Sequence, residues 1–203
     1  MRAIGGRHVR LRRKDFAGLG PRRASDIAPP DCMRDTGFMI IRSERPADVP
    51  HIRTLTDAAF AGVEHSSQTE GAIVDALRAA NALSVSLVAE QDGSIIGHVG
   101  FSPVLIDGAD IGWFGLGPVS VLPNFQRGGV GSALIEQGLK ALASRGAKGC
   151  VVLGDPGYYR RFGFTSDHAL RYGDAPVEYF QSQVLGGAPA VGEVSYHVGF
   201  NAA

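Results

Sequence analysis

Between residues 119 and 142 the chain changes its apolar period across a run of glycines, and few folds accommodate that change. Upstream, Val119-Ser120-Val121-Leu122 alternates as a strand does, and Pro123 closes it. Downstream, Leu134, Ile135, Gly138, Leu139 and Leu142 fall on one face of a helix. The junction between them is Gln126-Arg127-Gly128-Gly129-Val130-Gly131. The first amides of a helix have no intrahelical acceptor and point along the positive end of its dipole. An anion placed there accepts several backbone hydrogen bonds, each contributing about 1.5–3 kcal/mol when charge-assisted. Three or four such bonds fix a pyrophosphate without a dedicated lysine. Side chains would block the approach, and Gly128, Gly129 and Gly131 leave it open.

The segments on either side are consistent with one α/β domain. Phe38 to Arg42 reads as a short strand, and order is expected to begin there. Pro46 stands at the first turn of a helix carrying Val49, Ile52, Leu55 and Ala59 at helical spacing. A polar loop, Glu64 to Gln68, leads to a second helix with Ile73, Val74 and Leu77 on one face. From Leu83 the period becomes strand-like. The turns Gln91-Asp92-Gly93-Ser94 and Asp107-Gly108-Ala109-Asp110 then divide residues 85–122 into a three-strand antiparallel meander. After the glycine loop and its helix, Cys150 to Leu153 is apolar throughout, as in a strand covered on both faces. Asp155 and Pro156 form an N-cap and first helical residue for a short helix stopping at Gly163. Beyond Thr165 the patterns weaken, although Glu193 to Val198 alternates like a late strand.

Formal charge is zero, but its distribution is uneven. Residues 1–38 hold nine Lys/Arg against four Asp/Glu, and residues 39–203 hold eleven against sixteen. Residues 1–37 have few periodic apolar positions and are expected to form a disordered basic N-terminal extension. That segment has no apolar core of a secretory signal, and Phe16 alone is a poor aromatic platform for nucleic acid, which is not expected as a partner. No apolar run reaches the length of a membrane span. Cys32 and Cys150 form neither a disulfide framework nor a metal site. A reduced, cytoplasmic, metal-free protein is expected, with Cys150 as a small core residue.

Three kinds of nucleotide loop compete for the glycine run. A Walker loop would continue Gly-Lys-Ser/Thr, whereas Gly131 is followed by Ser132 and Ala133. A dinucleotide fingerprint needs glycine at position 134, which is leucine, and expects no meander before the loop. The third kind matches. Gln126-Arg127-Gly128-Gly129-Val130-Gly131, opening a helix after the fourth strand, resembles the acyl-CoA signature of the GNAT superfamily of N-acetyltransferases. The stretch from Val151 through Tyr158-Tyr159-Arg160-Arg161-Phe162-Gly163-Phe164 resembles that family's second signature. The two occur in the family's order and separation, within a resemblance covering about residues 38–165.

The resemblance implies a fold of α/β class, α+β-like: a central mixed, mostly antiparallel sheet splayed between strands 4 and 5, with flanking helices. It implies a domain over 38–203, with core signatures in 38–165 and a C-terminal appendage at 166–203. Acetyl-CoA is the implied cosubstrate and an amine the acceptor. The main chain of Val119 and Val121 would pair with the pantetheine arm, one amide polarising the thioester carbonyl. Amides from Arg127 through Gly128, Gly129, Val130, Gly131 and Ser132, with Gln126 beside them, would hold the pyrophosphate. Gly154 and Asp155 would flank the cofactor. Tyr159 matches the tyrosine that many relatives use to protonate the departing thiolate.

No general base is assigned. Glu64, His65 and His98 are candidates, His98 also being readable as a buried structural residue. Tyr172, Glu178, Tyr179 and Phe180 are candidates for a wall of the acceptor site, a homodimer contact or plain core packing. The rival to an enzyme is a non-catalytic acyl-CoA-binding sensory or regulatory module, which would keep Gln126 to Gly131 without productive acid–base geometry.

Overall fold

The computed structural model describes residues 38–63 and 68–202. Strands β1 (Ile40–Ser43), β2 (Val85–Gln91), β3 (Ser94–Ile106) and β4 (Ala109–Val121) pair antiparallel in sequence order. Strand β5 (Gly149–Leu153) then runs parallel to β4, and β7 (Phe180–Val184) lies antiparallel to β5. Strand β8 (Gly192–Tyr196) pairs antiparallel with the end of β3 at Val104–Ile106, beyond the reach of β2, and β6 (Leu170–Arg171) runs parallel beside β8. The result is an eight-stranded, mixed and mostly antiparallel open sheet, as expected.

Alternation along β2 sets the two faces. Val85, Leu87 and Ala89 join the cluster that contains Leu134, Ile135 and Leu142 of helix α3 (Val130–Ser144). Those three helix residues are fully buried, each contributing about 1.5–3 kcal/mol by leaving water. Val88 points the other way, onto Ile52 of α1 (Val49–Phe60) and Val74 of α2 (Glu70–Ala79). The sheet is therefore sandwiched, α1 and α2 on one side and α3 on the other.

The entry to α1 is held by Asp48, buried and accepting two bonds from the Arg42 guanidinium at 2.6 and 3.0 Å and one from the Arg45 amide at 2.7 Å. Pro46 opens a 3-10 turn, Pro46–Asp48, ahead of α1 rather than α1 itself. Phe38 is exposed and precedes β1, which starts two residues later than its apolar run suggests.

A second polar network ties β1, β2, β3 and α2. Arg78 Nε donates to Glu44 at 2.6 Å, the Ser86 hydroxyl also donates to Glu44, and His98 Nε2 lies 2.9 Å from Ser86 Oγ and 3.7 Å from Glu44. Burial pushes His98 below its ordinary value, so the ring is neutral. Burial would raise Glu44, but His98, Arg78 and Ser86 together outweigh it and hold the carboxyl at about 2. His98 is thus a buried structural residue. Cys150 is also buried, and desolvation raises its thiol far above the reactive range.

Candidate active site

The site begins where two strands stop pairing. Parallel β4 and β5 share register only at Trp113–Gly149, Phe114–Cys150 and Gly115–Val151. Beyond Gly115, β4 pairs with β3 alone, and beyond Val151, β5 pairs with β7 alone. A β-bulge marks the parting. Gly117 and Pro118 oppose the single residue Gly100, between the pairs Val99–Val119 and Phe101–Leu116, and the extra residue bends β4. Leu122 N–H donates to the Ile96 carbonyl at 3.0 Å. Successive peptide groups alternate across a strand, so the N–H groups of Val119 and Val121 turn away from β3, toward the gap. Gln126 Nε2 reaches the Val121 carbonyl on that side at 3.0 Å and so braces the glycine loop against β4.

The loop delivers a helix end to the same gap. Gly129 caps α3 with φ 86°, a left-handed conformation glycine adopts without penalty. Arg127 holds φ 63° with a side chain, which costs of order 1–3 kcal/mol and is typical of ligand-gripping backbone. The first bond of α3 runs from Ala133 N–H to the Gly129 carbonyl at 3.0 Å, leaving Val130, Gly131 and Ser132 amides without intrahelical acceptors. A Cβ at Gly131 would lie 3.4 Å from the Tyr158 hydroxyl, 3.6 Å from Val121 and 3.8 Å from Val119. Glycine there keeps a cradle open between β4 and the aromatic helix α4 (Pro156–Tyr159). Dipole, free amides and steric access together suit a diphosphate followed by a narrow, extended chain.

Asp155 caps α4 through Gly157 N–H at 2.8 Å, and Pro156 fills the first turn, so Tyr158 and Tyr159 are presented side by side. Their rings meet edge-on at 5.1 Å, and Tyr159 also packs on Phe164 at 6.0 Å. Gly154 makes room for this: a Cβ there would collide with the Tyr159 ring. Burial, with Tyr158 and Cys150 nearby, pushes the Tyr159 phenol up to about 12. It therefore stays protonated and available as a donor throughout the neutral range.

These features line a cleft of about 560 Å³, floored by Val119, Val121, Gly129 and Gly131 and flanked by Arg127 and Arg161. A second cleft of about 400 Å³ adjoins it, sharing Phe60, Val119 and Tyr159.

Comparison with known proteins decides the family. Residues 82–166 match the family model described as acetyltransferase (GNAT) domain. The chain is 36% identical over 172 residues to the Escherichia coli K12 protein named uncharacterized N-acetyltransferase YhbS, covering 80% of this chain and 99% of that one. Its fold matches a GNAT family acetyltransferase from Brucella melitensis solved in complex with acetyl-CoA. That match has 54% identity and TM-score 0.73, over 81% of this chain and 99% of the other. It also matches E. coli YhbS solved in complex with CoA, at 35% identity and TM-score 0.75, over 81% and 93% of the two chains. The chain belongs to the GNAT acetyltransferase family.

As a GNAT member it is an acyltransferase, and its anticipated residues divide into two groups. Val119, Val121, Gln126, Arg127, Gly129, Gly131, Ser132 and Tyr159 all line the larger cleft. Gly128, Val130, Gly154 and Asp155 do not line it: Val130 is buried under the sheet, Gly154 backs Tyr159 and Asp155 caps α4. Among the base candidates, Glu64 and His65 lie outside the described residues, as does the basic segment 1–37. Of the four C-terminal candidates, Tyr172 lines the second cleft, Phe180 is core, and Glu178 and Tyr179 are exposed. Sequence patterns missed Phe60, Tyr158 and Arg161 in the first cleft and Glu70, Tyr196 and Phe200 in the second. Only Tyr158 and Arg161 had a signal, since they sit inside the second family signature. Among the described residues no helix is long and apolar enough to cross a membrane, and no cluster of His, Cys, Asp or Glu is arranged to hold a metal.

Proposed function

We propose that this GNAT protein transfers acetyl from acetyl-CoA to an amine by direct attack, without a covalent enzyme intermediate. The observation that carries the reading is the convergence of the parted β4–β5 pair with the open Gly131 cradle at the start of α3. The Val130, Gly131 and Ser132 amides, with Arg127 and Arg161 at the rim, bind the pyrophosphate. The gap-facing Val119 and Val121 peptides take the place of a missing neighbour strand for the pantetheine amides. One of those N–H groups holds the thioester carbonyl oxygen as it gains charge in the transition state.

The amine nitrogen attacks the thioester carbon, the C–S bond breaks, and the attacking amine surrenders a proton to solvent or a nearby base. Tyr159, placed at the junction of both clefts, faces the sulfur. Its phenol at about 12 is a weaker acid than a thiol near 8.5. Tyr159 therefore acts chiefly by hydrogen-bonding the developing thiolate, full proton transfer being uphill.

The test is thiol release from acetyl-CoA across a panel of primary amines, alongside calorimetric titration with CoA. Amine-dependent thiol release with one acetylated product per thiol is the expected result. CoA binding without turnover on any amine would instead favour the non-catalytic acyl-CoA-binding module.

A further inference from the structure

The two clefts that share Phe60, Val119 and Tyr159 are built from opposite materials. The larger is rimmed by Arg127 and Arg161 and by backbone amides, all suited to phosphates. The smaller is walled by five aromatic rings: Phe60, Tyr159, Tyr172, Tyr196 and Phe200. Its apolar floor includes Leu116 and Pro118, and its one charged lining group among the described residues is Glu70, the first residue of α2. Resting on the acetyltransferase reading above, we infer that the acceptor is a primary amine carried on a compact apolar body, ring or branched chain. The body sits among the rings of the smaller cleft, and the ammonium is drawn to Glu70.

Three observations commit the cleft to that occupant. Its volume, about 400 Å³, is at the small end of small-molecule sites and too tight for a folded protein segment with its solvation. Among the described residues its lining carries one charge. A polyamine or amino sugar would bring several cations to one carboxylate and leave the rest desolvated without partners, which is costly. Its wall is fixed rather than adaptable. Tyr172 and Tyr196 meet edge-on at 4.9 Å, Tyr196 meets Phe200 at 4.7 Å, and Tyr172 stacks near the core residue Phe180 at 5.7 Å. Such a ladder anchors the rings to β7, to β8 and to the segments that follow β6 and β8. A preformed aromatic wall selects for shape and favours apolar or cationic ligands. The junction residue Tyr159 puts the amine end of such a ligand next to the thioester end of the other cleft.

The experiment has a turnover arm and a binding arm, both on the full chain. Thiol release is measured with 2-phenylethylamine, 3-methylbutylamine, ethanolamine and butane-1,4-diamine. Binding of 2-phenylethylamine to the CoA-loaded protein is measured separately by calorimetry. Expected are a kcat/KM for the two apolar amines at least about tenfold above that for ethanolamine or the diamine, and saturable binding of 2-phenylethylamine. Glu70→Gln and Phe200→Leu should each weaken that binding by about tenfold or more while CoA affinity stays within about twofold, which also reports that the variants fold. Preference for the diamine or ethanolamine, or 2-phenylethylamine binding unmoved by both substitutions, overturns the inference while leaving acetyl transfer standing. Binding as expected with no thiol release overturns the acetyl-transfer reading and leaves the cleft's specificity intact.

Discussion

The gap between β4 and β5 has two sides that differ in what they are made of. On the α3 side the groups proposed to hold the donor are main chain: the N–H groups of Val119 and Val121, and the amides of Val130, Gly131 and Ser132. Side chains contribute there through the Arg127 and Arg161 rim and otherwise by leaving the cradle open. On the α2 side the groups proposed to hold the acceptor are side chains, among the described residues five rings and one carboxylate, brought together from α1, α2, α4 and the residues after β5. Backbone recognises what every acyl-CoA has in common, because every residue supplies the same N–H. Side chains recognise what distinguishes one acceptor from another. A family that keeps its donor and changes its acceptor would divide its site in this way.

The largest expected effect comes from filling the backbone side. Gly131→Val places branched carbon in the cradle between Tyr158 and Val121. Losing two charge-assisted bonds, about 3 kcal/mol or more, should weaken CoA binding by at least about 100-fold in calorimetry. The α3 helix should persist, because valine is tolerated in helices better than glycine. CoA affinity within threefold of wild type would mean that the ligand does not use the cradle.

Next comes the junction. Tyr159→Phe should lower turnover about 100-fold, at the low end for acid–base groups, with CoA affinity unchanged. The buried phenol donates a hydrogen bond to sulfur more readily than a proton. An unchanged single-turnover rate would remove Tyr159 from the chemistry.

Legibility in the sequence followed the same division. The glycine loop was visible because backbone recognition demands glycines at fixed places before a helix, and Asp155-Pro156 was visible because caps are local chemistry. The meander was visible through its Asp-Gly turns and alternation. Strand β7 was not, because Phe180-Gln181-Ser182-Gln183-Val184 has no apolar alternation. Its buried Gln181 spends its polar end on the Gly154 carbonyl, at 2.9 Å, which only the folded chain reveals. Strand β6, at two residues, is too short to have a period. Glu70, Tyr196 and Phe200 meet across more than a hundred residues of chain, and no local spacing announces such a meeting.

The smallest effect lies off both sides and serves as a control. His98 is held neutral by burial, while an unfolded histidine titrates near 6.5. Below 6.5 the unfolded chain takes up a proton that the folded chain refuses, so stability falls as pH falls. The loss should show as a lower Tm at pH 5.5 than at pH 7. Glu44, held at about 2 against an ordinary 4.5, adds a further loss as pH drops from 4.5 toward 2. His98→Gln should flatten the upper part of that curve and leave the preference among amines untouched. A Tm that does not change between pH 7 and 5.5 would contradict the neutral, buried assignment.

Amide hydrogen exchange with and without acetyl-CoA tests the backbone side most directly. Slowed exchange is expected at Val119, Val121, Val130, Gly131 and Ser132 together, since each gains an acceptor that the free protein lacks. Exchange at those five unaltered by saturating acetyl-CoA would contradict a site made of main chain.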